Sequence, residues 1–247
     1  MCTVSFLPLS NSGFILTSSR DEAFDRASAS FPFTKSIALH QEVVYPLDPQ
    51  GTGTWVASSK NSTVCLLNGA QVKHKHRPPY RHSRGLVVTG FYEYENAKDF
   101  YENFDLHDIE PFTLLMLEHQ NKDLVFNELL WDGNEKVIRS VDTSNPNIWS
   151  SVTLYTDEVI SERRSWFKDW LKENKNYDVE KIRNFHHFGG SGNDEISIKM
   201  KRGSKLGSLS ITSILKSNTD QAMYYEDLEK DDLTTYKFSD SINVINK

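Results

Sequence analysis

The stretch from residue 112 to residue 141 constrains the fold most. Residues 112–117 (FTLLML) and 124–131 (LVFNELLW) are near-continuous apolar runs, separated by the polar Gln120-Asn121-Lys122-Asp123. Asp132-Gly133 then turns the chain into a third run, 137–141. Turn residues between short apolar runs read as a three-stranded meander. Strands with one face in water alternate apolar and polar residues, and these do not. They suit a sheet covered on both sides, between a second sheet and a layer of helices.

The rest of the chain supplies those other layers. Residues 3–7 alternate and are rich in β-branched and aromatic types, so they read as a strand. The turn-forming 8–13 (PLSNSG) returns the chain as a second strand, 14–17, making a hairpin. Antiparallel partners bring their far ends together, so Ser19-Arg20-Asp21-Glu22 is expected beside the start of the first strand. Two further strands, 54–57 and 63–67, flank a polar turn at 58–62, and the second ends in Asn68-Gly69. Residues 85–104 look helical, with a second set of turns opening at Glu95-Asn96. The clearest helix is 156–172. Thr156 can cap it, Asp157 and Glu158 suit its first turn, and Val159, Ile160, Trp166, Phe167, Trp170 and Leu171 share one face. A second helix covers 179–188, and His186-His187 at its end suits the helix dipole without a catalytic role. Residues 209–216 and 222–225 form a final hairpin, and the acidic 226–232 leads to a terminal strand or tail. With no internal repeat and no Pro/Gly-rich linker, residues 1–247 are expected to form one domain.

The first two residues carry the chemistry. Cys2 is small enough for an initiator Met to be removed, leaving a residue with both a thiol and a free α-amine. That amine, with an ordinary pKa of about 7.7 to 8.0, can take the thiol's proton near neutral pH. The thiolate is then a nucleophile. Arg20 would favour the thiolate, and Asp21 would hold or orient the amine. Asn68, at a strand end before a glycine, can aim its side-chain NH2 at a developing oxyanion. Each feature also has a plainer explanation: a buried start residue, a surface ion cluster, and an ordinary Asn-Gly turn.

Composition narrows the classes. A net charge of -6 argues against a nucleic-acid partner. The two cysteines, Cys2 and Cys65, do not make a disulfide framework and fit a reducing cytoplasm. No apolar run approaches the ~18 residues of a membrane span, and the start lacks the pattern of a signal peptide.

Residues 71–84 (QVKHKHRPPYRHSR) hold Lys73, Lys75, Arg77, Arg81, Arg84 and three histidines without one acidic residue. A solvated basic loop is the default reading. A histidine metal site is poor ligand design among so many cations, so no metal is expected. The third reading is a loop that borders the cleft and offers Arg77, Arg81 and Arg84 to an anionic small-molecule substrate. Gly189-Gly190-Ser191-Gly192 lacks the Gly-Lys-Ser/Thr ending of a phosphate loop and reads as a connection.

Taken together, Cys2, the hairpin, Ser19-Arg20-Asp21-Glu22 with Arg26, Gly53-Thr54-Trp55, Leu67-Asn68 and Ser83-Arg84-Gly85 resemble the NRDE family, whose eukaryotic members are transport and Golgi organisation protein 2 homologues. Departures are Ser19 where the family name has Asn, and Ala27 where a Pro commonly follows the motif's later Arg. That family is similar in fold to N-terminal-nucleophile hydrolases, including the cysteine-type acylases. The resemblance implies an α+β fold: a four-layer αββα sandwich of two antiparallel sheets flanked by helices. It implies Cys2 as nucleophile and base, Arg20 and Asp21 as its support (with Glu22 an alternative to Asp21), and Asn68 in the oxyanion hole. No cofactor is expected. Two functions follow. One is amide hydrolysis through an acyl-enzyme on Cys2. The other is a non-catalytic carrier that holds a lipid, acyl or haem-like ligand in the same cleft.

Overall fold

A computed structural model describes residues 3–38 and 41–238. Cys2 lies outside the described residues. Two antiparallel sheets stack face to face. The first runs in the order β10 (Asn147–Ser150), β1 (Thr3–Pro8), β2 (Phe14–Ala23), β12 (Leu206–Lys216), β13 (Gln221–Asp227), β14 (Asp232–Lys237), with β11 (Lys201–Arg202) also on β12. The second runs β3 (Phe33–Ile37), β4 (Gln41–Tyr45), β5 (Val56–Ser58), β6 (Ser62–Asn68), β7 (Phe112–Gln120), β8 (Asp123–Trp131), β9 (Lys136–Ser140). The expected meander is β7–β8–β9, and β7 is buried along its apolar length.

Three apolar layers explain the stacking. Val4, Phe6, Phe14, Leu16, Ile214 and Met223 of the first sheet meet Val56, Cys65, Leu67, Leu115 and Phe126 of the second. The opposite face of the first sheet packs Leu7 and Ile15 against Phe167 of α3 (Asp157–Glu173) and Ile182 and Phe185 of α4 (Val179–Phe188). The opposite face of the second packs Val64, Leu66 and Leu114 against Val87 of α1 (Gly85–Gly90) and Phe100 of α2 (Ala97–Asn103). The order is therefore helix, sheet, sheet, helix, as the resemblance implies. Period-2 alternation generates it: successive residues of β1 face the helices and the partner sheet in turn.

Local signals placed most boundaries. Thr156 accepts from Val159 N at 3.5 Å at the start of α3, and Asp178 accepts from Lys181 N at 2.8 Å at the start of α4. The helical stretch expected over 85–104 is interrupted. After α1 a single 3-10 turn, Phe91–Glu93, ends at an extended Tyr94, and Asn96 caps α2 by accepting from Asp99 N at 3.0 Å. The break lets Phe104 fold back over α1, where a Cβ on Gly90 would stand 2.7 Å from its ring. Strands β3 and β4 carry no strong sequence signal, because β3 (FTKSI) is an edge strand with exposed central residues. Residues 189–192 are a connection, and a Cβ on Gly190 would meet Trp166 at 2.1 Å.

Candidate active site

The hairpin delivers what its register requires. Thr3 pairs with Ser19 on β2 and with Ser150 on β10, so β1 is flanked on both sides where the described chain begins. Arg20 and Asp21 follow Ser19 directly. As neighbours on one strand they point to opposite faces of the sheet. Arg20 turns inward between the sheets and is 3% exposed. Its guanidinium lies 4.8 Å from the centre of the Trp55 ring, and its Nη2 reaches Asp48 Oδ2 at 3.3 Å.

Asp21 turns toward the helices and is 2% exposed. Tyr155 donates to its Oδ2 at 2.9 Å, and Ser208 donates to its Oδ1. Glu22 is half-buried, accepts from Ala23 N at 3.2 Å and faces Arg26 at 3.7 Å. Of the two carboxylates, Asp21 is thus the one set into a buried hydrogen-bonded frame.

Asp48 joins this group without having been marked by the sequence. Burial alone would raise its pKa, but Arg26 donates to it at 2.9 and 2.7 Å, Gly51 N donates at 3.2 Å, and Arg20 and Arg26 add positive charge. The net effect holds the carboxyl below its usual range. The available signal was the Asp-Pro-Gln-Gly turn, in which an Asx side chain accepts from the backbone two and three residues on. The same loop explains the glycines of the motif. A Cβ on Gly53 would stand 2.3 Å from the carbonyl carbon of Gly85, and Thr54 N donates to Gly85 O at 3.2 Å. Gly53-Thr54-Trp55 and Ser83-Arg84-Gly85 are one contact seen twice in the sequence.

Asn68 is the last residue of β6 and is followed by Gly69 at φ +81. Its carbonyl accepts from Ser151 Oγ at 2.7 Å, and Ser151 directly follows the Ser150 that pairs with Thr3. The end of β6 is therefore tied to the end of β1 across the two sheets. The Asn68 side-chain amide has no hydrogen-bond partner among the described residues. Alternation along β6 sends Cys65 and Leu67 between the sheets and Val64 and Leu66 toward α1, so the Asn68 side chain starts on the α1 side. Cys65 is fully buried, and burial pushes its thiol up to about 12, as a core cysteine requires.

The basic loop is less bare than its sequence. Glu110 gathers His74 at 3.0 Å, His76 at 3.1 Å and Arg84 at 3.1 Å. Burial would raise the Glu110 pKa, but Arg84 and the two histidines hold it below its usual range. Arg81 pairs with Asp105. Arg84 also donates to Pro111 O at 3.2 Å, the carbonyl to which Gly69 N donates at 3.0 Å, so the loop does border the end of β6. Arg77 is exposed, and its guanidinium has no carboxylate partner among the described residues.

Behind β1 and β2 lies a polar layer that the sequence reading missed. His186 is fully buried and bridges Ser5 Oγ (Nε2, 2.8 Å) and Ser19 Oγ (Nδ1, 2.8 Å). Burial, then the charges of Arg183, Arg163 and His187, push its pKa down to about 3, so the ring is neutral. A neutral imidazole donates through one nitrogen and accepts through the other, which two serine hydroxyls can both satisfy. Arg163, also fully buried, donates to Thr3 Oγ1 at 2.6 Å and to Ile196 O at 2.9 Å, and its guanidinium stacks 3.6 Å from the centre of the Tyr155 ring. The signal was there in part: Thr3 and Ser5 on β1 and Thr17 and Ser19 on β2 put hydroxyls at alternate positions, opposite Val4 and Phe6 on β1 and following Phe14 and Leu16 on β2.

Fold and site together define an α+β sandwich whose first strand is embedded beside a buried arginine and a buried carboxylate. The chain belongs to the Transport and Golgi organisation 2 family, whose family model matches residues 1–228. A search of individually curated proteins gives no match. Among the described residues no helix is long and apolar enough to cross a membrane.

Proposed function

We propose that the chain is an N-terminal-nucleophile amidohydrolase, one domain over residues 1–247, with Cys2 freed by removal of Met1. The register of β1 carries this reading. Thr3 stands opposite Ser19 and Ser150, and Cys2 is bonded to Thr3, with its Cα about 3.8 Å away. The positions next along the two flanking strands are Arg20 and Ser151, and Ser151 holds the Asn68 carbonyl. On this reading the start of the chain lies beside the Arg20 guanidinium and the Asp21 carboxylate, and the Asn68 side chain turns from the α1 side toward it.

The chemistry follows from those groups. The α-amine takes the thiol proton, and the thiolate attacks the carbonyl carbon of an amide. Asn68 donates to the oxyanion of the tetrahedral intermediate. The carbon-nitrogen bond breaks as the ammonium returns its proton to the leaving amine, leaving a thioester on Cys2. Water then adds, and the acid departs with the thiol restored. Arg20 favours the thiolate and Asp21 steadies the ammonium. The basic loop, with Arg77 exposed at its rim and Arg81 and Arg84 partly neutralised, draws anionic substrates toward the cleft. A reducing cytoplasm suits such a thiol.

The test is a panel of acyl amides, with product release and intact protein mass followed together. Expected are a mass lacking Met1, an acyl adduct on Cys2, and severe loss of turnover in Cys2→Ser. Asn68→Ala should lower the rate on the order of 10² to 10³-fold with binding less affected. Tight binding without any adduct, unchanged in Cys2→Ala, would replace the hydrolase with a carrier using the same cleft.

A further inference from the structure

Two donors between the sheets have no hydrogen-bond partner among the described residues: Arg20 Nη1 and Trp55 Nε1. Their side chains are at least nine-tenths buried. The guanidinium sits over the indole, so both donors belong to one small volume. Two other indoles are satisfied: Trp131 Nε1 donates to Ile109 O at 2.8 Å and Trp149 Nε1 to Glu128 Oε1 at 2.9 Å. Native proteins rarely leave such groups unpaired, because desolvation is then uncompensated.

Both groups can only donate, so what completes them is an acceptor. Charge selects among acceptors. Asp48 is the carboxylate nearest Arg20, at 3.3 Å, but it already accepts from Arg26 at 2.9 and 2.7 Å and from the backbone of Gln50 and Gly51. Arg26 also faces Glu22 at 3.7 Å, whereas Arg20 reaches Asp48 through a single contact, longer than those Arg26 makes to it. Ser210 lies across the ladder from Arg20, and the hydroxyls of Ser210 and Thr212 are unpartnered among the described residues. The buried cation therefore holds its carboxylate by one terminal nitrogen and leaves the other without an acceptor among the described residues.

We infer that this end of the inter-sheet space binds the carboxylate of a small organic acid, with the charge on Arg20 Nη1 and a hydrogen bond from Trp55 Nε1. The inference deepens the proposed function and rests on it for the location of the cleft: the substrate would be an amide that also carries a free carboxylate. In this assignment the deep pair Arg20 and Trp55, and not the loop arginines, reads the anion at close range.

Cys2→Ala protein separates the two ideas, because it cannot form an acyl-enzyme whatever it binds. The five tryptophans give five indole N–H cross-peaks in a ¹H–¹⁵N spectrum, and the one lost in Trp55→Phe belongs to Trp55. Titration with hexanoate should move that peak saturably. Hexanamide, equal in length and neutral, should bind at least about tenfold more weakly. Trp55→Phe keeps an aromatic ring for packing, and a thermal melt checks its fold. It should weaken hexanoate about tenfold, as read from the shifting backbone amides of residues 19 to 21. A Trp55 peak unmoved by hexanoate, or moved equally by hexanamide, overturns the assignment. Such a result leaves the adduct chemistry of Cys2 to stand or fall on its own test.

Discussion

Replacing His186 with Gln tests whether the buried imidazole couples stability to acid. The ring is fully buried between Ser5 and Ser19 and titrates in the folded chain near 3, against about 6.5 when unfolded. The sign follows from proton counting. Between those values the unfolded chain binds a proton that the folded chain does not, so stability falls as pH drops through 6.5 toward 3. The slope for one group approaches about 1.4 kcal/mol per pH unit, and the full window is worth on the order of several kcal/mol. Gln offers a donor and an acceptor but does not titrate. At pH 7 His186→Gln should be less stable by roughly 1–3 kcal/mol, since an amide cannot reach both hydroxyls at 2.8 Å as the ring does. On acidification from 6.5 to 4.5 the variant should lose less than the parent, and the gap should close. Urea titrations followed by tryptophan fluorescence at half-unit pH steps give both curves. The paired carboxylates Asp48, Glu110 and Glu226 add their own acid sensitivity, but mainly below this window and equally in both proteins. Parallel curves from pH 7 to 4.5 would refute the argument, because they would mean that His186 is not held neutral by burial.

Three further outcomes are expected. Lys216 is buried between the sheets, donating to Ser59 O and to Gln221 Oε1 at 3.0 Å, and burial pushes its pKa down to about 7. The unfolded chain therefore binds the extra proton between about 7 and 10.4, so stability should rise with pH from 7 to 9 in the parent and stay flatter in Lys216→Met, as chemical denaturation at each pH would read. Gly53→Ala should destabilise by roughly 1–3 kcal/mol or more, lowering the melting temperature by several degrees, because the obstacle 2.3 Å away is the Gly85 backbone and not a movable side chain. Iodoacetamide near pH 7 should leave Cys65 unlabelled in the folded protein while Cys2 reacts, and faster labelling of Cys65 in a timed peptide map would contradict its burial.

Short-range chemistry made much of this protein legible in its sequence. Apolar runs cut by Asp132-Gly133 and by residues 120–123 specify β7, β8 and β9, although only β7 is buried on both faces as the runs suggest; β8 is partly covered and β9 is largely exposed at the sheet edge. Thr156 with Asp157 and Glu158 marks the start of α3. The hairpin from residue 3 to residue 22 carries its own register through its turn, so the approach of Arg20 and Asp21 to the start of β1 could be read from spacing. Tertiary structure alone decided what long-range contacts decide. Asp48 reaches Arg20 through a loop closure, and Glu110 gathers Arg84 and two histidines of a loop that looked purely basic. His186 looked like a cation at a helix end, yet α4 lies across β1 and β2 and buries it against two serines. Whether a polar side chain is a solvated charge or a neutral hinge pin depends on which element covers it. That is fixed by packing across 181 residues of sequence separation and not by its neighbours in the chain.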